Sequence, residues 1–564
     1  MRILGAHGQR MGSVVLAVGG LVITSKGWAQ TLPPVSVPNA GSILQQKKAE
    51  SRQREEMEGS SSSPAMIQPM EEVHYKINSI EFSGNSKLGT SELTSLVGRY
   101  VGKDVTRHDL DEIAAQISNA YREHGYGFTF TSVDLREGRD GKIKFIIVEG
   151  RAGNIKLNNH SRVRRGVLEG MLRHFREHPE STDNLERSQW LISDIPGVGG
   201  VLPRLTRGSE NGVVDVEIEV QDAPLISGYM SLDNYGSRTS GRTRLNLVAG
   251  LNSPFGLGDA LRINISGFPF GQSGHSTLGG FTYDFPIGKE GVRGGFGYNR
   301  MQYNLGGSYE GQFDGTADVW SAYVGYPIMR QPKMSVVARV AYNHNIYKDN
   351  QVGFENQRIS DSMAVSVYGN TQDVLWGRGG GSRMSLTLTY GNLRYNNPLF
   401  AEQDASGSKT AGGYGKIEMS VSRTQQLTTA TYLHGEVTVQ YGFKNLDGSA
   451  RMVMGGPSAV RAFSSDFVSV DTGILARGTA GWRLPLTTQV NVFAFYDVAT
   501  GVLRHSPKNG QQNNINLHGA GVGMEVSYRA VTASVSFATR VGGSAPAIGD
   551  QPKNWTWLSL AYSF

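Results

Sequence analysis

The sequence predicts two small α+β modules followed by a transmembrane antiparallel β-barrel of about 16 strands. Three observations carry that prediction. The chain opens with a leader that marks export, two successive segments share the order β-α-α-β-β, and the last ~340 residues alternate apolar and polar side chains with no helical period.

The leader is MRILGAHGQRMGSVVLAVGGLVITSKGWAQ. Arg2 and Arg10 form a positive start, Met11 to Ser25 is mostly apolar, and Gly27-Trp28-Ala29 offers the small residues a signal peptidase requires. Residues 1–29 therefore read as a signal peptide, with the mature chain beginning near Gln30. The chain contains no cysteine, which in an exported protein excludes a disulfide framework and thiolate metal sites. A formal net charge of +6, spread along 564 residues, implies no nucleic-acid partner. Glycine is 73 of those residues, nearly twice average usage, and mean hydropathy is negative. A soluble Gly-rich β protein and a membrane barrel share these averages, because a barrel strand spends half its residues on a polar lumen. Strand period is what separates them.

Residues 30–72 carry few large apolar side chains. Within them Ile43 to Glu58 is rich in helix formers and mixed charge, and the breaker Gly59-Ser60-Ser61-Ser62-Ser63-Pro64 follows. A polar helix on a flexible tether and plain disorder both fit this stretch.

Residues 73–150 form the first module. YKINSIEFSGN (Tyr75 to Asn85) reads as a strand ending in a Gly-Asn turn, and TSELTSLVGRYVG as a short helix. In the next helix Thr106 can cap, and Leu110, Ile113, Ala114, Ile117 and Tyr121 make one stripe that Gly125 ends. The strands FTFTSVDLRE and GKIKFIIVEG follow, joined by a turn at Gly138 to Gly141. Residues 151–224 repeat the order with little identity: the strand GNIKLNN, the helices VRRGVLEGMLRHFRE and LERSQWLISDI, a stop at Pro196-Gly197, then two strands. Val214, Val216, Ile218 and Val220 share one face of the last strand.

Residues 225–564 read as the barrel. In AVTASVSFATRVG, Val531, Ala533, Val535 and Phe537 share a face, and Thr532, Ser534, Ser536 and Arg540 the other. The closing NWTWLSLAYSF sets Leu558, Leu560, Tyr562 and Phe564 against Ser559, Ala561 and Ser563. A soluble sandwich or solenoid also alternates, but sustained alternation with aromatic strand ends in an exported chain favours an outer-membrane barrel. At ~20 residues per strand and loop, about 16 strands fit. In VNVFAFYDVAT, Val490, Val492, Ala494, Tyr496 and Val498 suit lipid, which turns Asn491, Phe493, Phe495 and Asp497 into the lumen. Upstream, the turn GGPSAVRAF sets Arg461 among Val460, Ala462 and Phe463. Spacing alone favours a solvated loop charge and an ordinary lumen carboxylate. A bidentate pair across the lumen is the other reading.

DIPGV (Asp194 to Val198), LDNYGSRTSGR (Leu232 to Arg242), SPFGLGD (Ser253 to Asp259), VRAF and FYD (Phe495 to Asp497) follow one another in this order. With two α+β modules ahead of a barrel, the chain from about His74 to Phe564 resembles the outer-membrane transporters of two-partner secretion, the haemolysin/haemagglutinin secretion-activation family. That family belongs to the barrel-assembly superfamily. The resemblance identifies the modules as POTRA-like and places them in the periplasm of a Gram-negative cell. It implies a long loop folded into the barrel, with Arg461 of the Val460-Arg461-Ala462-Phe463 motif meeting Asp497 on the wall beside Phe495. It offers the polar helix a place as a plug of the resting pore. Relatives carry glycine where this chain has Ala462 and Ala499; both swaps keep a small side chain.

The function implied is an outer-membrane pore that exports a large partner exoprotein, an adhesin, haemolysin or contact-toxin, through its N-terminal secretion domain. Outer-membrane lipids and, during biogenesis, the barrel-assembly machinery would be further partners. The alternative is a factor that inserts other barrels, against which the two-module array and the tether argue. A barrel lipase or protease has no site here: no G-x-S-x-G elbow occurs, so the chain is read as no enzyme. HFREH (His174 to His178) matches a zinc-peptidase spacing, but no third ligand is evident and a solvated helix face is expected. GAGVGM (Gly519 to Met524) precedes no helix and is no dinucleotide fingerprint. No catalytic, metal or cofactor set is assigned.

Overall fold

A computed structural model describes residues 39–55, 74–134, 141–210, 212–267, 273–351, 353–486, 488–508, 510 and 512–564. The expected signal peptide, the Gly59-to-Pro64 tether and most of the Gly138-to-Gly141 turn lie outside these residues.

The polar helix α1 spans Ala40–Glu55, beginning three residues before the expected Ile43. Asn39 sets that start. Its side chain accepts from Ser42 N (2.9 Å) while Ser42 Oγ accepts from Asn39 N (2.9 Å), a reciprocal cap.

The first module comprises β1 (His74–Lys76), β2 (Ser79–Ser83), α2 (Thr90–Val97), β3 (Asp104–Thr106), α3 (Arg107–Glu123), β4 (Phe130–Asp134) and β5 (Lys142–Val148). Thr106 caps α3 in a capping box with Asp109, and the stripe Leu110, Ile113, Ala114, Ile117 and Tyr121 is buried. The strand expected over Tyr75 to Asn85 is two strands. β1 pairs antiparallel with the unexpected β3, and β2 runs parallel to β5 in the sheet β2-β5-β4. The chain changes sheets at the buried Ile77, whose backbone bonds Lys103 and Gly102.

The second module comprises β6 (Arg151–Asn159), α4 (Arg165–Met171), α5 (Arg173–Glu177), α6 (Thr182–Ser193), β7 (Val198–Arg207) and β8 (Val213–Asp222), with β6 parallel and β7 antiparallel to β8. The single helix expected before α6 breaks at Leu172, a fully buried residue whose N–H donates to the Glu169 carbonyl three residues back. Gly197, at φ +95°, turns the chain after α6 as only glycine does readily.

Sixteen antiparallel strands then close a barrel: β9 (Ile226–Asp233), β10 (Arg244–Asn252), β11 (Ala260–Gly267), β12 (His275–Ile287), β13 (Val292–Asn304), β14 (Phe313–Gln331), β15 (Met334–Gln351), β16 (Phe354–Leu375), β17 (Arg378–Tyr395), β18 (Gly412–Gln426), β19 (Thr431–Gly442), β22 (Thr472–Leu484), β23 (Gln489–Val502), β24 (Asn514–Tyr528), β25 (Val531–Ser544) and β26 (Asn554–Ser563). A helix, α7 (Pro398–Ser406), follows β17, and the short pair β20 (Met452–Val453) and β21 (Ser469–Val470) lies in the long segment between β19 and β22. β26 pairs with β9 to close the ring, and Phe564 exchanges backbone hydrogen bonds with Gly228. Leu558, Leu560, Tyr562 and Phe564 face outward, as do Val490, Val492, Ala494, Tyr496 and Val498.

Candidate lumen lock

The segment 443–471 folds back into the barrel. Met454, Val460, Ala462, Phe463, Phe467 and Val470 pack with Leu475, Phe495, Ala499 and Leu517 of the wall, and Phe463 stacks on Phe467 at 5.2 Å. Burying these apolar groups holds a loop that would otherwise be solvated.

At its tip Arg461 meets Asp497. Arg461 Nε donates to Oδ2 at 2.8 Å, Nη2 to Oδ1 at 2.6 Å, and the Arg461 backbone N to Oδ2 at 3.1 Å. The guanidinium lies 3.5 Å from the Phe495 ring centroid. Arg461 is 9% exposed at its side chain and Asp497 0%, so the pair sits in a low dielectric, where a bidentate ion pair is strong and directional. The structure thus brings together Val460, Arg461, Ala462, Phe463, Phe495 and Asp497, including the pair that spacing alone did not favour.

Further residues complete the arrangement. Arg477 of β22, paired in register with Asp497, donates to the carbonyl of Pro457 (3.0 Å) and faces Glu436 (3.3 Å) and Asp497 (3.9 Å). Trp557 Nε1 donates to the Arg461 carbonyl at 2.8 Å. Gly519 pairs in register with Asp497, and a Cβ there would lie 2.7 Å from that of Ala462. Gly519, the first glycine of GAGVGM, is therefore the floor on which Ala462 rests. Phe495 and Phe493 lie over Gly521 and Gly523 of the same strand. Strand parity is the signal that could have found Arg477 and Gly519, since both fall on the lumen face.

The remaining motifs tie other parts to this core. In LDNYGSRTSGR, Tyr235 offers its carbonyl to Ser465 Oγ (2.8 Å) and Thr239 donates to Asp466 (3.1 Å), so the first hairpin holds the loop. SPFGLGD is a turn that receives the second module, with Arg164 N donating to the Gly256 carbonyl at 2.8 Å. Asp194 of DIPGV takes a bidentate pair from Arg330 on β14, at 2.6 Å for each bond. His174 and His178 do not converge. α5 ends at Glu177, His174 meets Glu290 of a barrel turn at 2.7 Å, and no metal-holding group of three occurs among the described residues.

Two α+β modules, a closed 16-strand barrel and an inward loop pinned through Arg461 define an outer-membrane secretion pore with periplasmic POTRA domains. Residues 212–526 match the family described as haemolysin secretion/activation protein ShlB/FhaC/HecB, and residues 75–150 match its ShlB-type POTRA domain. The chain belongs to this family, the outer-membrane transporters of two-partner secretion. It is 26% identical over 550 residues to the heme/hemopexin transporter protein HuxB of Haemophilus influenzae, covering 93% of this chain and 95% of HuxB. It is 24% identical over 491 residues to the outer membrane transporter CdiB of Dickeya dadantii, covering 82% of each. In fold it is similar to CdiB from Escherichia coli, at a TM-score of 0.70 and 19% identity over 94% of this chain and 99% of the other. BamA from Haemophilus ducreyi lacking POTRA domains 1–3 gives a TM-score of 0.51 at 16% identity, over 87% of this chain and all of that one.

Proposed function

We propose that the two periplasmic modules capture an unfolded exoprotein through its N-terminal secretion domain and pass it to a barrel whose resting state is closed by α1 and the inward loop. The partner class is a large adhesin, haemolysin or contact-toxin; the heme/hemopexin and CdiB names of the relatives are compatible with that range. Capture proceeds by β-augmentation or by docking beside a helix. Among the described residues β4 and β7 each pair with a strand on one side only, which leaves an edge for the former. The barrel's outward face contacts outer-membrane lipids, and the chain itself is inserted by the barrel-assembly machinery. No nucleotide motif is evident in the sequence, so folding of the partner outside the cell drives export.

The single observation that carries this reading is the buried Arg461–Asp497 pair, a loop charge placed where it must be released for the lumen to pass a chain. The experiment is secretion of the partner by cells expressing a variant lacking residues 75–222. Loss of secretion with a membrane-inserted barrel supports capture by the modules. Continued secretion would sink it.

A further inference from the structure

The inward loop and α1 are joined by a buried ion network away from the Arg461 tip. Ala40 N, one of the N–H groups a helix leaves unpaired at its start, donates to Asp349 Oδ1 of β15 at 3.0 Å. Tyr303 OH donates to the same oxygen at 2.7 Å, and Arg358 Nη2 of β16 donates to Asp349 Oδ2 at 2.6 Å. The other end of that guanidinium, Nη1, bonds Asp447 of the inward loop. Asp447 Oδ1 then accepts from Ser449 N (3.0 Å) and Ser449 Oγ (2.7 Å), fixing the loop's turn. Arg358 is 4% exposed at its side chain, so losing either carboxylate leaves buried charge unpaired, which makes its two pairings depend on each other.

The helix and the loop also touch directly. A Cβ at Gly41 would stand 2.6 Å from Ser449 Cβ, and one at Gly448 would stand 3.3 Å from Asn39 Oδ1. Glycines on both sides let the first turn of α1 and the Asp447 turn meet. Behind this contact Ala40, Ile43 and Leu44 pack on Met301, Tyr303, Ala317, Val319 and Tyr347 of the lumen wall.

The geometry points to Arg358 as a coupling residue through which α1 and the inward loop hold each other in the closed barrel. When α1 leaves, Asp349 loses the helix N–H and Ser449 loses its backing, so the Asp447 limb of the loop is freed. The Arg461 tip, on the far strands β22 and β23, is a separate latch. Opening thus has two stages, with the plug's departure priming the loop. This rests on the reading of α1 as a plug, and the test separates the two.

The chain's lack of cysteine makes the test clean. Ala450→Cys, at a position 6% exposed beside Asp447, reports opening of the loop limb by its rate of thiol labelling in the full-length protein. Bilayer conductance of the same protein reports the plug. Arg358→Gln and Gly41→Leu are placed in this background, with heat-modifiable gel mobility confirming a folded barrel. Labelling should accelerate at least about tenfold in both, as expected for loss of a buried charge-assisted bond, and conductance should rise. Increased conductance with labelling within about twofold of the parent would overturn the coupling and keep the plug. Faster labelling at unchanged conductance would keep the contact and sink the plug. If neither changes, both fail.

Discussion

Two of the bidentate Arg–Asp pairs among the described residues have nearly identical geometry in opposite surroundings. Arg461–Asp497 lies inside the barrel against Phe495, Arg477 and Trp557. Arg330–Asp194 lies at the periplasmic rim, with Arg330 18% and Asp194 45% exposed at their side chains, and with the guanidinium 4.8 Å from the Trp190 ring centroid. The chemistry is shared; the dielectric is not. In the lumen, removal of one partner leaves a charge that water cannot reach, whereas at the rim water replaces the lost partner. The buried pair therefore specifies one loop position, and the rim pair makes a weaker, more solvated tie between the second module and the barrel.

The largest effect tests the buried half. Asp497→Ala leaves Arg461 and Arg477 facing each other without a carboxylate between them and should destabilise the closed loop by about 3–5 kcal/mol. Arg461→Ala leaves Asp497 with Arg477 at 3.9 Å and should cost less. Hydrogen exchange of residues 454–467 in the intact protein should rise in both, more steeply for Asp497→Ala, and partner secretion should fall in the same order. Equal exchange in the two variants would show that Arg477 takes no share of the lock.

A smaller effect should follow at the floor of the lock. Gly519→Ala brings a Cβ 2.7 Å from Ala462 Cβ and 3.1 Å from Val460 Cγ1, an overpacking of about 1–3 kcal/mol. Adding Ala462→Gly should recover most of it. A double-mutant cycle on loop exchange with no coupling between these positions would mean that the tip does not rest on β24.

Local signals made much of this legible. Strand alternation located the barrel and its lumen face because the two-residue period is a property of each strand alone. The α3 stripe and its Thr106 cap were readable for the same reason. What the residues did not reveal depends on distant partners. Arg461 among apolar neighbours is ambiguous until β23 places Asp497 opposite it, and only the family resemblance favoured that pairing. α1 looks polar because Ala40, Ile43 and Leu44 are a thin apolar contact completed by β13, β14 and β15. Its start at Asn39 was missed because the run preceding Ile43 has no apolar period. β3, three residues long, is too short for alternation to register.

At the rim the expected effect is about 1 kcal/mol. Arg330→Ala removes an exposed ion pair and its contact with Trp190 but leaves Arg187 donating to the Pro327 carbonyl and His174 beside Glu290. The barrel should remain closed, with conductance unchanged, while distance measurements between spin labels on α6 and on the β14 turn should broaden. A narrow, unchanged distribution would show that apolar packing alone sets the second module's angle.

The smallest effect concerns the first module and its pH dependence. Burial pushes the Glu149 carboxyl upward, but the Lys87 and Ser86 N–H groups and the Ser86 and Tyr121 hydroxyls all donate to it, and together they hold it below its ordinary value of 4.5. Protons then bind the unfolded chain more readily than the folded one, so the contribution of Glu149 is complete above about pH 5 and disappears as pH falls through its lowered folded value. Because the group is half-exposed, solvent screening keeps this below about 1 kcal/mol. Hydrogen exchange of β5 in the full-length protein should quicken on acidification past that range, and Glu149→Gln should flatten the dependence. An identical acid response in the variant would assign it to other carboxylates and leave Glu149 as a neutral tie between β5 and the Ser86 turn.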